Sequence, residues 1–228
     1  MVEVNIYNII VVIVENMYLK DREQLVKKLV LESNIKNEII KKAFLTVKRE
    51  KFLPNHQKIH AYHDRPLEIG NGQTISAPHM VAIMCESLDI HKGHKILEIG
   101  AGSGYHAAIV AQLVGEKGHV YTIERFEELA SNAEHNLRSS GTTNTTVVVG
   151  DGSKGLTDYA PYDRIYVTCA APSIPQPLID QLKDFGKLLI PVGNVYSKLQ
   201  LLEKKENEII LKDLCRCVFV PLIGKNGF

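Results

Sequence analysis

From Asp21 to Asn34 the apolar residues Leu25, Val26, Leu29 and Val30 recur at three- and four-residue spacings, and Ile39, Ile40, Ala43, Phe44 and Val47 repeat the pattern. That periodicity predicts two amphipathic helices, the second ended by Phe52-Leu53-Pro54. A polar, turn-rich connection follows from Asn55 to Pro78, and a connection of that length in a compact chain is more often functional than idle. Beyond it, short β-rich runs alternate with helical ones. Strands are predicted at 95–99, 119–123, 145–149, 163–168 and 186–192, with crossover helices over Tyr105–Val114 and Phe126–Ser139, a pattern that builds a mostly parallel sheet. Two last strands, roughly 197–204 and 208–222, have almost no helix between them, which predicts antiparallel pairing at that edge.

The 228 residues are 45% hydrophobic and 23% charged, enough for a full core. Lys and Arg number 27 against 26 Asp and Glu, and no run of like charge suits a polyanion, so nucleic acid is not expected as a partner. Cys85, Cys169, Cys215 and Cys217 lack zinc-site spacing and are too sparse for a secreted disulfide framework; no metal and a reduced, cytoplasmic setting are expected. Cys215 and Cys217 share one face of a strand, where packing is their expected role. The apolar run Ile9–Val14 is too short to span a bilayer and lacks a basic region before it or a cleavage site after it, so no membrane association is expected. It reads as an element packed on the body, as a mistranslated leader with the true start at Met17, or as a surface for homo-oligomer formation.

In "ILEIGAGSGYHAAIVA" (96–111) a strand ends at Ile99, Gly100, Gly102 and Gly104 make a tight turn, and a helix begins near Tyr105. Such a turn lets a ligand approach the backbone and the free amides of a helix start. The dinucleotide fingerprint G-x-G-x-x-G aims those amides at a pyrophosphate. Here the third glycine comes one residue early and Glu98 precedes the loop, which suits a cationic ligand portion better. Glu124 ends the second strand, where a carboxylate can accept both hydroxyls of a ribose, with Arg125 placed to flank the adenosine. Asp151, followed by Gly152, ends the third, where it can accept from an exocyclic adenine amine. One strand-end acid is often only a helix cap. Three around a glycine turn mark the place where open α/β sheets bind ligands. Together they resemble the S-adenosylmethionine site of Rossmann-like methyltransferases, which implies Glu98 beside the methionine portion, Glu124 on the ribose and Asp151 on the adenine.

The segments "AYHDRPLEIGNGQTISAPHMVAIM" (61–84), "LEIGAGSGY" (97–105), "VVVGDGSKG" (147–155), "APYDRIYVTCAAPSIPQPLIDQL" (160–182), "GKLLIPVG" (186–193) and "VFVPLIG" (218–224) are similar, in order, to the protein-L-isoaspartate O-methyltransferase family. The resemblance runs from about residue 20 to 224, and its "GQTISAPHM" element is particular to that family. It implies an α/β, Rossmann-like S-adenosylmethionine-dependent methyltransferase with a mixed, mostly parallel sheet and helices on both faces. The implied reaction moves the cofactor's methyl to the free α-carboxylate of L-isoaspartyl residues in damaged proteins and peptides; the ester closes to a succinimide, which can reopen to aspartate. One integrated domain is expected, with an N-terminal extension (1–19), a helical cover carrying the substrate loop (20–90) and the catalytic core (91–228). Where the family has a Pro-Gly-Gly turn before "IPVG", this chain keeps only Gly186, after Asp184 and Phe185.

A carboxylate that attacks a sulfonium methyl is already ionised at pH 7, so the site needs orientation and dehydration rather than a strong base. Hydroxyl donors orient a carboxylate without locking it in an ion pair. Ser76 is the expected catalytic residue, with Thr74, Ala77 and the amides of 75 to 77 beside it on the substrate. Ser76 reads equally as the N-cap of a helix led by Pro78, a compatible role. His79 enters through its place in the family motif. Val218, Val220 and Leu222 alternate along the expected last strand, where Val220 could help to hold a peptide by backbone pairing. Lys92, Lys95 and Arg164 read as solvated surface. Asn71-Gly72 and Asn226-Gly227 are prone to the lesion itself, and the second, near an end expected to be mobile, is a candidate for self-methylation. Rival readings are a methyltransferase acting on RNA or a small molecule, a binding module without chemistry, and a nicotinamide dehydrogenase.

Overall fold

A computed structural model describes residues 6–194, 196–206 and 208–228, with side chains from residue 13 onward. The chain opens with α1 (Ile6–Leu31), continues through α2 (Glu38–Thr46) and a short 3-10 turn at Arg49–Phe52, and reaches a hairpin of β1 (Leu67–Gly70) and β2 (Gln73–Ile75). Next come α3 (Pro78–Leu88), β3 (Lys95–Ile99), α4 (Tyr105–Val114), β4 (His119–Glu124), α5 (Glu127–Ser139) and β5 (Thr145–Val149). β6 (Tyr162–Val167), α6 (Gln176–Asp180), β7 (Leu182–Gly193), β8 (Ser197–Lys205) and β9 (Glu208–Cys217) complete it.

The large sheet has the order β5-β4-β3-β6-β7-β8-β9, parallel from β5 to β7 and antiparallel at β8 and β9. The connections turn in opposite directions on either side of β3 and β6. That reversal opens a crevice at their carboxyl ends, where such sheets bind ligands. Alternation sorts the strand side chains onto two cores. Ile96, Val120, Tyr166 and Leu189 pack with α1 to α4, whereas Leu97, Ile99, Ile165, Val167 and Leu188 pack with Leu178 of α6. Glu98 shares the face of Ile96, so its carboxylate is buried on the side covered by α3 and α4.

Several expectations change. α1 is one continuous helix that takes in the run Ile9–Val14 and ends at Leu31, with Ser33 beyond it at φ 60°. The side chains of Ile9 to Val12 lie outside the described residues; Ile13 is 61% exposed and not packed on the body. α2 stops at Thr46, and Phe52 ends the separate 3-10 turn, with Leu53-Pro54 after it. The connection Asn55–Pro78 contains the β1–β2 hairpin, whose tip Asn71-Gly72 has φ of 51° and 68°, the left-handed pair of an Asn-Gly turn. No periodicity marks strands of four and three residues.

Ser76 is not the helix cap. The N-cap of α3 is Ala77, which has no capping side chain, and Asp64 fills that role from the preceding loop: its Oδ1 accepts from the His79 amide at 2.9 Å. Asp64→Ala should therefore destabilise the fold by about 1 kcal/mol in urea unfolding, as loss of a cap does.

Arg164, expected on the surface, is buried because Leu88 and Asp89 end α3 over it with carbonyls that accept from Nε (2.6 Å) and Nη2 (3.0 Å). Lys95 is half-buried, its Nζ donating to the Tyr159 carbonyl, and Lys92 is exposed. In place of the Pro-Gly-Gly turn, Phe185 takes φ 61° ahead of Gly186.

Residues 218–224 are not part of the last strand, which ends at Cys217. They cross the strand ends instead: the Val220 carbonyl accepts from the Ala170 amide, and the Leu222 amide donates to the Ala170 carbonyl. Val218 is 72% exposed and Leu222 4%, so the alternating residues do not share a face. The C-terminus is tied down rather than loose. Asn226 donates to Ser153 through its amide and side chain, and the Phe228 amide donates to the Leu222 carbonyl.

Candidate active site

A cleft with about 770 Å³ of empty space, counting the part that opens to solvent, lies at the carboxyl ends of β3, β4 and β6. Its floor is the glycine turn, held by Gly100 and Ala101 amides donating to the Ile123 carbonyl at 2.8 and 3.1 Å. Gly100, Gly102 and Gly104 all have positive φ, which a side chain would strain. At Gly100 a Cβ would also collide with the Thr168 hydroxyl, so this glycine serves packing as well as ligand approach. The hairpin forms the roof: Ile69 reaches over Gly102, and Asn71 Nδ2 donates to Glu128 of α5 at 3.2 Å.

Of the residues expected from the sequence, Thr74, Ser76, Glu98, Gly100, Gly102, Glu124, Arg125, Gly152 and Val220 line this one cleft. Among the described residues, the Ser76 and Thr74 hydroxyls make no hydrogen bond to the protein. Gly104 lies at the end of the turn as the N-cap residue of α4. Ala77 is buried at the start of α3, outside the cleft lining.

His79 is not brought to the cleft. Its Nδ1 lies 2.9 Å from Asp64 Oδ1, which draws the ring to that carboxylate. Asp151 is not a lining residue either: Oδ1 accepts from the Ser153 amide and hydroxyl, and Oδ2 accepts from the Lys225 amide at 2.9 Å. The C-terminal tail comes close enough because Gly224, where a Cβ would strike Asp151, has none.

The two lining acids differ. Glu124 Oε1 accepts from the Arg125 and Phe126 amides and Oε2 from the Gly102 amide at 3.0 Å, which leaves one acceptor site on the carboxylate. Glu98 is wholly buried; Oε2 accepts from the Thr122 hydroxyl at 2.5 Å, and Oε1 has no partner. Burial pushes its carboxyl up to about 8, against the pull of the hydroxyl donor. The Tyr166 hydroxyl beside it also lacks a partner at hydrogen-bond geometry; its nearness draws the Glu98 carboxyl down, while burial and the Glu98 charge push the phenol up. A buried acceptor left open at the edge of a ligand cleft fits an ammonium group, as on the methionine portion of S-adenosylmethionine.

Thr122, Thr168, Tyr105 and His106 complete the lining or hold it, and sequence reasoning missed all four. Their residue types carry no signal in strands and helices. Only Thr122 was findable in principle, since it pairs across the parallel register with Glu98.

Fold and cleft together define an S-adenosylmethionine-dependent methyltransferase of the Rossmann-like class. The sequence pattern of the protein-L-isoaspartate(D-aspartate) O-methyltransferase family matches residues 20–227. The chain belongs to that family, and it methylates isoaspartyl residues with S-adenosylmethionine as donor. It is 53% identical over 212 residues to the protein-L-isoaspartate O-methyltransferase of Methanococcus aeolicus, covering 93% of this chain and 98% of that one. With the enzyme of Hyperthermus butylicus it shares 49% over 224 residues, 94% of this chain and 93% of that one. Among solved structures, a protein-L-isoaspartate O-methyltransferase superposes with a TM-score of 0.84 at 32% identity, over 90% of this chain and 67% of the other. A Plasmodium falciparum protein solved in complex with S-adenosyl-L-homocysteine gives 0.78 at 25%, over 89% and 98%. Among the described residues no helix is long and apolar enough to cross a membrane.

Proposed function

We propose that the cleft divides its labour between a cofactor half, built from Glu98, the glycine turn and Glu124, and a substrate half, built from Ser76 and Thr74. The observation that carries this reading is the buried, unpartnered Glu98 Oε1 at one side of a cleft that also holds two unengaged hydroxyls. Glu98 takes the ammonium of the methionine portion. Glu124, fixed by three backbone amides, offers its remaining acceptor site to the ribose. Arg125, stacked on Phe126 at 4.5 Å, flanks the adenosine, and Gly152 lets the ring approach the third strand's end. Asp151 fastens the tail, and so places Leu222 and Ile223 in the lining. When bound, the cofactor supplies an electrophilic methyl on a sulfonium.

On the substrate side, Ser76 donates to the α-carboxylate and aims an oxygen, with Thr74 and the Ala77 amide as further donors. Donors without full charge hold the anion and leave its attacking lone pair available. Ile69, Val220 and Leu222 exclude water around the pair of opposite charges, which raises their attraction. Val220 contributes its side chain, since its carbonyl is already engaged by Ala170. His79 acts at one remove, through the Asp64 contact that fixes the start of α3. Residues 20–90 act as the cover with the substrate hairpin and 91–228 as the core; the exposed Ile13, Val14 and Met17 support self-association through the first part of α1. Four free thiols support a cytoplasmic setting.

The test is methyl transfer from labelled S-adenosylmethionine to matched peptides, one with L-isoaspartate and one with L-aspartate. Base-labile ester on the first alone is expected. Equal labelling of both would overturn the substrate half of the proposal.

A further inference from the structure

Arg49 opens the 3-10 turn after α2, and its side chain is completely buried. Nε donates to the Ala61 carbonyl at 2.9 Å, and Nη2 donates to the Ser76 carbonyl at 2.9 Å. The guanidinium lies over the ring of Tyr105, a cleft residue, 4.8 Å from its centroid. Nη1 is buried and has no partner. Both fixed partners are uncharged carbonyls. Asp64, whose charge reaches the guanidinium, is already engaged by His79 and Lys28.

A buried cation whose hydrogen-bond partners are all neutral is costly even with a carboxylate in its neighbourhood, and a structure keeps one where a counter-charge arrives or a position must be fixed. Arg49 sits directly behind the peptide unit of Ser76, the residue read above as the seat of the substrate carboxylate. We infer that Arg49 is a positioning and charge-selecting residue of the substrate site, for which the free α-carboxylate of an isoaspartyl residue is the missing counter-charge. The inference rests on that reading of Ser76.

Its bond to the Ser76 carbonyl polarises the Ser76–Ala77 peptide, which strengthens the Ala77 amide as a donor and fixes Ser76 in the cleft wall. The positive charge acts on the substrate through one peptide unit rather than by direct pairing. The anion is attracted and selected over a neutral group, yet no guanidinium covers the oxygen that must attack. Burial lowers the guanidinium's affinity for its proton, and an arginine side chain keeps its charge in proteins all the same.

The experiment compares two ligands: an L-isoaspartyl peptide with its α-carboxylate free, and the same peptide with that group as a carboxamide. Inhibition constants, or KM for the reactive member, are measured for wild type, Arg49→Gln and Arg49→Lys, together with the dissociation constant for S-adenosylhomocysteine. Wild type should prefer the carboxylate. Arg49→Gln should lose about tenfold of that preference through weaker carboxylate binding alone, with the carboxamide and S-adenosylhomocysteine bound as before. Arg49→Lys should restore the preference while kcat stays low, because an ammonium keeps the charge and loses the fork that holds two carbonyls.

Equal loss for carboxylate and carboxamide in Arg49→Gln would mean a merely structural residue and would overturn the inference. If Arg49→Gln does not fold, Arg49→Lys decides it, since loss of the carboxylate preference there has the same consequence. A wild type without any preference would instead overturn the placement of the carboxylate at Ser76.

Discussion

Cofactor affinity should fall about tenfold for each pH unit below 8, reaching about a hundredfold at pH 6. The Glu98 carboxyl is raised to about 8 because it is wholly buried, so the cofactor-free protein carries a proton there at neutral pH. An ammonium donor needs the ionised form. Binding must therefore expel that proton, and the expulsion costs more as pH falls. The sign for the cofactor-free fold is the opposite of the usual acid case. A carboxyl raised above its unfolded value makes its favourable contribution below about 4.5 and loses it progressively as pH climbs to about 8. Titration calorimetry at pH 6.5 in buffers of different ionisation heat should count about one proton released per S-adenosylhomocysteine bound. Glu98→Gln should bind weakly at every pH and release none. The charge of Glu124 adds to the upward push on Glu98. The other groups that face Glu98 do not supply this profile: Thr122 does not titrate, burial holds the Tyr166 hydroxyl and the Cys85 thiol well above the range, and burial lowers His106 to about 3. A flat wild-type profile would mean that the open carboxylate oxygen is not the ammonium's seat.

Ser76→Ala should lower kcat/KM for an isoaspartyl peptide by about two orders of magnitude, the upper range for one hydrogen bond to a charged group. Most of the loss should fall on kcat, because the hydroxyl's task is to aim an oxygen at the methyl rather than to hold the peptide. The substitution leaves the fold intact for a definite reason. Ser76 is not the cap of α3, so removing its hydroxyl removes no helix contact; Asp64 keeps the His79 amide, and Arg49 keeps the Ser76 carbonyl. A thermal midpoint equal to wild type should accompany the kinetic loss. Loss of stability with intact kcat would return Ser76 to a capping role.

The contrast between these two residues shows what sequence reading reaches. Glu98 could be placed at the end of its strand, next to the glycine turn, because strand and turn are local and their residues are contiguous. Its state could not be foreseen. Whether a carboxylate is ionised depends on what covers it, and here the cover comes from α3 and α4, folded back over β3, and from Tyr166 of β6, far along the chain. The same holds for Ser76, whose two readings, cap or substrate donor, differ only in which acid satisfies the helix start. Asp64, in an irregular loop fifteen residues before the His79 amide that donates to it, settles that question.

By itself the sequence determined the succession of strands along the chain from Lys95 onward, the crossover helices α4 and α5 but not the short α6, the antiparallel edge, the glycine turn and the acids around it. All of these rest on periodicity or on contiguous motifs, which persist whatever the chain packs against. Only the tertiary structure decided that 218–224 is a crossing segment and not a strand, that Asp151 binds the tail, that Arg164 is buried, and that Arg49 lies behind Ser76. Each of these depends on a contact between residues far apart in the chain. No spacing encodes the burial of a charge or the partner of a backbone amide, because both are set by whichever surface the folded chain happens to lay against them.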